Sequence, residues 1–295
     1  MENKVAVLLS TYNGEKYVTE LLDSLIKQKG VKVDVFVRDD GSRDNTVKII
    51  KEFKRGRDNI FLFESEKNIG YAKSFLSLLK KCGRYDYYAF CDQDDVWLEN
   101  KLECAVEFLK DNENDIPLLY TSNVISVDCD LKKINRKSFN GRVINKYESF
   151  QRSILPGCTF VFNNKLKEYL IQYNGYVESH DWITYIVASV FGKVFYDTNS
   201  YIYYRIHESN TIGLESNFKK FLRKIKRFFK KSSNTRSKVA KDFYIVYENF
   251  LEHEIKREIH ALAYYRDSYK EKIKLLFSKN FGGIIFKIYV LMNRI

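Results

Sequence analysis

Four apolar runs of strand length, separated by residues at helical spacing, constrain this chain more than any other feature. The runs are residues 5–9, 33–37, 60–63 and 87–91. Between the first two, Tyr17, Leu21, Leu22, Leu25 and Ile26 recur at helical intervals. Val47, Ile49, Ile50 and Phe53 form a second such set, with Ser42 or Asp44 as its cap, and residues 72–79 a third. Strands alternating with helices of this length predict an α/β fold: an open, mostly parallel sheet flanked by helices and joined by right-handed crossovers. Beyond Leu118-Leu119-Tyr120 the alternation weakens. Residues 128–147 read as a loop or hairpin arm, and 158–162 as a strand. Trp182, Ile183, Ile186, Val187 and Val190 read as one face of a helix, and 194–196 and 201–204 as short strands.

The fourth run ends in Asp92-Gln93-Asp94-Asp95-Val96-Trp97, at the strand edge where open α/β sheets bind ligands. Three carboxylates this close repel one another unless a cation joins them. Oxygen ligands suit Mg²⁺ or Mn²⁺, and Mg²⁺ commonly binds through one or two carboxylates and the phosphates of a substrate. An isolated Asp-x-Asp is more often an acidic turn or a helix cap. Here two other strand ends reach the same edge, Ser10-Thr11-Tyr12-Asn13-Gly14-Glu15 after the first and Arg38-Asp39-Asp40-Gly41-Ser42 after the second. Tyr12 is suited to stack on a base, and Asp40 to accept the imide N–H of uracil or thymine. Neither G-x-G-x-x-G nor G-x-x-x-x-G-K-[ST] occurs, so a metal rather than a glycine cradle has to meet the phosphate charge.

With 295 residues and 45% hydrophobic content, the chain can bury a real core in one large or two smaller domains. Its net charge of +12 is unevenly placed: residues 1–214 balance, while 215–295 hold 20 Lys and Arg against 8 Asp and Glu. That asymmetry predicts a globular domain over 1–214 and a basic helical region over 215–295 with an anionic surface as its partner. Phe218, Phe221, Leu222, Ile225, Phe228 and Phe229 share a helical face, with eight Lys and Arg between them from Lys219 to Lys231. This is the composition of a helix lying on anionic lipid. A nucleic-acid partner requires net positive charge over the core, where the charges balance to zero. Residues 281–295 are apolar but interrupted by Gly282, Gly283 and Lys287, short of the roughly 20 residues a membrane span needs. The five cysteines show no paired or metal-type spacing, which fits a reducing cytoplasm, and residues 5–9 are too short for a secretory signal.

The strand-end motifs above, with Asn68-Ile69-Gly70, His180-Asp181-Trp182 and Tyr204-Arg205-Ile206-His207-Glu208-Ser209-Asn210, form an ordered set. Over roughly residues 3–213 that set resembles glycosyltransferase family 2, inverting nucleotide-sugar transferases of the GT-A fold. Asp-Gln-Asp-Asp-Val-Trp, His-Asp-Trp and Tyr-Arg-x-His resemble its rhamnosyltransferase-type branch, which builds bacterial cell-wall and surface polysaccharides. The resemblance implies that Thr11, Tyr12 and Asp40 contact the base and Asp92 the ribose region, with Asn13, Glu15, Asn68, Gly70 and Asp95 also around the donor. It implies that Asp94 leads the ligands of Mn²⁺ or Mg²⁺, with His207 reaching back to the metal; whether Asp95 shares that duty stays open. Asp181 matches the catalytic base, preceded by His180 where the family usually carries an acid. As an N-terminal helix residue Asp181 also reads as a cap. The implied donor is dTDP-β-L-rhamnose, with UDP-hexoses open, and the implied acceptor a glycolipid or polysaccharide at the inner face of the cell membrane. A catalytically silent nucleotide-sugar-binding scaffold is the alternative, disfavoured by the joint presence of Asp94, Asp181 and His207.

Overall fold

The computed structural model describes residues 2–112, 115–134, 143–152, 155–206 and 234–295. They belong to two units, one of Met1–Val143, Ile154–Ile171 and Ser179–Asn210, the other of Ile144–Ser153, Gln172–Glu178 and Thr211–Ile295. The first is built on eight strands, β1 (Lys4–Thr11), β2 (Lys32–Asp39), β3 (Ile60–Glu64), β4 (Tyr87–Cys91), β5 (Val96–Trp97), β6 (Leu118–Val127), β7 (Val161–Asn163) and β8 (Lys193–Arg205). Their order in the sheet is β3-β2-β1-β4-β7-β6-β8-β5. Pairing is parallel from β3 through β4 and between β6 and β8. It is antiparallel on both sides of β7 and between β5 and β8.

The expected parallel half is present because its strands are apolar on both faces. Residues 5–9 are fully buried, as a strand covered by helices on both sides requires. Val5, Val7 and Leu9 pack in one cluster with Leu21, Leu22 and Leu25 of the helix Val18–Ile26 and with Leu102 and Val106 of the helix Lys101–Asp111. On β4 the alternation sends Ala89 and Cys91 to that cluster and Phe90 away from it, where its ring lies 5.3 Å from Phe75 and 5.1 Å from Phe162. Each buried Val, Leu or Phe among these contributes on the order of 1.5–3 kcal/mol by leaving water.

The second half departs from the sequence expectations in three places. Residues 193–205 form one long strand rather than two short ones. The polar stretch Asp197-Thr198-Asn199-Ser200 is carried through irregular register with β6, around Ser122, Asn123 and Ile125, instead of ending the strand. Residues 157–159 form a 3₁₀ turn, and the strand begins only at Val161. In β6 the hydrophobic signal is diluted by Thr121, Ser122 and Ser126, which are nevertheless buried. Thr121 is satisfied there by a 2.7 Å hydroxyl contact with Thr159.

In the second unit the helices Thr235–Tyr247, His253–Tyr264, Tyr269–Phe277 and Ile284–Leu291 are joined by the two segments from earlier in the chain. Phe150 packs edge-on against Phe243 at 5.2 Å, and Tyr173 stacks on Tyr247 at 6.3 Å. Asp242 Oδ2 accepts from the Tyr176 amide at 2.7 Å, and the Gln151 carbonyl from Arg236 Nε at 2.6 Å. The aromatic, basic stretch 218–231 lies outside the described residues. Among those described, no helix is long and apolar enough to cross a membrane.

Candidate active site

Strand register brings the motifs to one edge. Thr11 lies opposite Asp39 and Leu9 opposite Cys91, so the chain leaves β1, β2 and β4 at the same level. The Thr11 hydroxyl donates to Asp39 Oδ1 at 3.0 Å, and Asp39 also accepts from the Gly41 and Ser42 amides. Asp40 is buried, ion-paired with Arg38, and accepts from the Ile69 and Gly70 amides at 2.9 and 2.8 Å. The Asn68 carboxamide accepts from that same Gly70 amide at 3.0 Å. Asn13 sits at φ 49°, with its amide on Ser42 Oγ and its own Oδ1 accepting from the Arg43 amide, both at 2.9 Å. Glu15 Oε2 accepts from the Asn45 amide and side chain at the start of the helix Thr46–Lys54. Among the base-contact candidates, Thr11 and Asp40 are thus buried and engaged with the protein, whereas the Tyr12 ring is 45% exposed.

Gln93 ties this edge to the acidic turn. Its Oε1 accepts from the Tyr12 amide at 2.8 Å and its Nε2 donates to the Tyr12 carbonyl at 3.1 Å. The carboxamide occupies space that only a glycine leaves: a Cβ on Gly14 would stand 2.4 Å from Gln93 Oε1. Arg205, buried at the end of β8, holds the turn from the other side. It donates through Nε to the Asp94 carbonyl at 2.9 Å, its amide points to Asp95 Oδ1 at 3.4 Å, and its guanidinium pairs with Glu20 and lies over the Tyr17 ring. The short β5 makes this possible, since Val96 pairs with Tyr203 and Trp97 with Ile202.

Asp92, Asp95 and Cys158 each present a ligand atom within 4.8 Å of the others. Burial, then the charges of Asp94 and Asp181, push the Asp92 carboxyl up to about 7. Burial and the neighbouring Asp94 and Asp92 push Asp95 well above the usual carboxylate range. Asp95 Oδ2 is buried without a hydrogen-bond partner among the described residues. Excess negative charge and an unsatisfied carboxylate oxygen fit a divalent cation, for which Asp92 and Asp95 offer hard oxygen donors. Cys158 fits less well, because burial and both carboxylates hold it as the thiol, while metals bind the thiolate. Asp94 stands between the two carboxylates in sequence; His207 lies outside the described residues.

Asp181 and His180 begin the helix His180–Phe191, with Ser179 at its N-cap position. Asp181 is therefore a first-turn residue rather than the N-cap, and its Oδ1 accepts from the Trp182 amide at 2.7 Å. A Cβ on Gly157 would stand 2.9 Å from both Asp181 Cβ and His180 Nε2, so the 3₁₀ turn carrying Cys158 packs directly on this helix start. His180 is buried against Phe75, Phe90 and Tyr71, with ring centroids at 3.9, 4.6 and 5.9 Å. Neither of its nitrogens has a hydrogen-bond partner among the described residues, and burial lowers its pKa to about 4 despite the Asp181 charge. It stands at the helix start as a neutral, aromatic-like wedge.

The motifs do not point to Lys101, although it falls in register with Ala105 and Leu109 on the apolar stripe of its helix. Its buried Nζ lies 3.4 Å from the Trp97 ring centroid without a hydrogen-bond partner among the described residues. Burial lowers its pKa to about 8, opposed by Cys91, Cys158 and Asp95, which places a cation behind the acidic turn. For Cys158 no sequence signal existed. A single thiol between Gly157 and Thr159 carries no pattern.

Residues 6–170 match the model of the family described as Glycosyl transferase family 2. The dTDP-rhamnosyl transferase RfbG of Shigella flexneri is 33% identical over 228 residues, covering 72% of this chain and 75% of that protein. The crystal structure of S. aureus TarS 1-349 in complex with UDP-GlcNAc superposes with a TM-score of 0.62 at 20% identity, over 98% of this chain and 80% of that one. Mannosyltransferase PcManGT from Pyrobaculum calidifontis, in complex with GDP-Man and Mn²⁺, superposes with a TM-score of 0.57 at 16% identity, over 99% and 75%. At those identities the two structures show the fold, and it is the GT-A-like arrangement expected from the motifs.

Proposed function

The chain belongs to glycosyltransferase family 2, and on that premise we propose that it transfers a sugar from a pyrimidine nucleotide donor to an acceptor hydroxyl with inversion, Asp181 acting as base. The observation that supports this is the turn Gly157–Thr159, which packs Gly157 against Asp181 and holds Cys158 within 4.8 Å of the ligand atoms of Asp92 and Asp95. In this reading the base of the donor stacks on the exposed Tyr12 ring. Asp40, Thr11, Asn13, Glu15, Asn68 and Gly70 hold the surrounding loops, and Asp92 faces the ribose. Asp94, with Asp95 or Asp92 and with His207, takes Mn²⁺ or Mg²⁺. A bound ion supplies positive charge to the departing diphosphate.

The acceptor oxygen loses its proton to the Asp181 carboxylate as it forms a bond to the anomeric carbon, and the bond from that carbon to the diphosphate breaks on the opposite face. One displacement inverts the centre, so a β-linked donor gives an α-linked product. Similarity to RfbG favours dTDP-β-L-rhamnose as donor, with a UDP-hexose as the second choice. A glycolipid or polysaccharide acceptor of bacterial surface polysaccharide synthesis follows, reached from the inner face of the cell membrane by a peripherally bound protein. The test is a panel of dTDP- and UDP-sugars with Mn²⁺ or Mg²⁺ and candidate glycolipids, scored by released nucleotide. Release that requires both ion and acceptor supports the proposal; no release from any donor contradicts it.

A further inference from the structure

The last described helix, Ile284–Leu291, is apolar on both faces, and among the described residues only one face is covered. Phe286 and Val290 are buried, Phe286 stacking on Phe281 at 5.7 Å. Ile284, Ile285, Ile288, Leu291 and Met292 are exposed, Ile284 by 81% and Ile285 by 69%. At 3.6 residues per turn those five fall in an arc of about 120°, opposite Phe286 and Val290. Lys287 stands at one border of the arc and Tyr289 at the other. Phe277, at the end of the preceding helix, is a further bare aromatic at 80% exposure.

The bare face is not a frayed end. Lys272 Nζ donates to the Leu291 carbonyl and to Asn293 Oδ1, both at 3.0 Å. The Ile295 amide donates to the Tyr265 hydroxyl at 3.0 Å, and the Ile295 carbonyl accepts from Ser237 Oγ at 2.8 Å. The helix is therefore fixed at its end while, among the described residues, its outer arc is left exposed. An apolar patch of this kind on a monomer marks an interaction site.

We propose that this arc is the surface by which the protein seats on an anionic lipid bilayer, lying in the interface rather than crossing it. Charge selects the occupant. From Lys272 to Ile295 the chain carries five basic residues and no acidic one; with Lys274 paired to Glu271, Lys272, Lys279, Lys287 and Arg294 leave a net positive charge, so a second copy of the same face would meet like charge, while anionic headgroups would meet opposite charge. A helix of eight residues is far below the roughly 20 needed to span. Lys287 and Tyr289 at the two borders suit headgroup depth, with the isoleucines below it. The inference deepens the proposed peripheral location and assigns it to named side chains.

The full chain is floated with phosphatidylcholine vesicles and with vesicles containing phosphatidylglycerol. Parallel samples carry Ile285→Glu with Ile288→Glu, or Ile245→Glu as a control on an exposed apolar residue of another helix. Wild type and the Ile245 variant should float with anionic vesicles, and the double variant should lose at least about tenfold in partition. An Ile285→Trp protein keeps the apolar surface, and its fluorescence should be quenched by brominated anionic lipid beyond that of wild type. Undiminished flotation of a folded double variant overturns the proposal, as does absence of added quenching. Wild-type dimers that the double variant abolishes, without lipid binding, overturn it in favour of a protein interface. Nucleotide release from donor, measured without vesicles on the same samples, reports on the transferase reading separately.

Discussion

Gly14 and Gln93 provide a sharp test of how the acidic turn and the first loop depend on each other. Replacing Gly14 by Ala puts a methyl 2.4 Å from Gln93 Oε1 and 2.8 Å from its Cδ, which no rotamer shift of the backbone-fixed Ala relieves. The Gln93 side chain must leave, and with it go the two hydrogen bonds to the Tyr12 amide and carbonyl. Each is worth about 0.5–1.5 kcal/mol, so loosening the Tyr12 platform costs about 2 kcal/mol, which a bound nucleotide has to repay. That corresponds to a weakening of donor-nucleotide binding by roughly thirtyfold. Gln93→Ala removes the same two bonds and should weaken binding equally. In the Gln93→Ala background the clash is gone and Gly14 has no positive φ, so adding Gly14→Ala should cost nothing further. Calorimetric titration of the four proteins with dTDP and UDP gives the cycle, with an expected coupling of about 2 kcal/mol. Additive losses, with the double variant down by about the product of the single effects, would refute the reasoning.

Further outcomes follow from the titratable groups of the site. Asp92 is held near 7 against an unfolded value near 3.8, so the folded state keeps a proton that the unfolded state loses. Its contribution to stability is full below pH 3.8 and falls away as pH rises toward 7. A divalent ion held by the acidic turn would reverse this and displace the proton. Mn²⁺ affinity measured in two buffers of different ionisation enthalpy should rise by at least about tenfold per unit between pH 5.5 and 6.5; a flat profile contradicts it. For His180, with a folded value near 4 against 6.5, stability is lost as pH falls from 6.5 to 4, by about 3 kcal/mol at the lower end. His180→Phe should remove that acid sensitivity in thermal melts across this range, and an unchanged slope contradicts the burial argument. Lys101→Met leaves Asp95 without its nearby cation, so the variant should require a divalent ion for wild-type thermal stability; insensitivity to added Mn²⁺ counts against the charge-balancing role.

The parallel half of the sheet was readable from the sequence because strands covered on both faces must be continuously apolar, as residues 5–9 and 87–91 are. The edge where the site forms was readable for the same reason, since strand ends in register must converge. What escaped the sequence depends on non-local pairing. Residues 193–205 look like two strands by composition, and only the pairings with β6 and with Val96 and Trp97 make them one. Arg205 was visible as part of a motif, but its hold on the Asp94 carbonyl and on Glu20 depends on that strand's length. Lys101 reads as a surface helix residue until Trp97 and the buried carboxylates are found around it. His180 shows the opposite case, a polar residue in a functional motif whose surroundings are aromatic and dry.

The central claim is that Asp181 removes the acceptor proton beside a metal-binding acidic turn. Its most direct measurement is a comparison of Asp181→Asn with wild type, scoring donor-nucleotide affinity and sugar transfer on the same preparations in the presence of Mn²⁺. The account predicts donor binding within about threefold of wild type, since Asn keeps the oxygen that accepts from the Trp182 amide, and transfer reduced by at least about a hundredfold. Transfer by Asp181→Asn at the wild-type rate would contradict it.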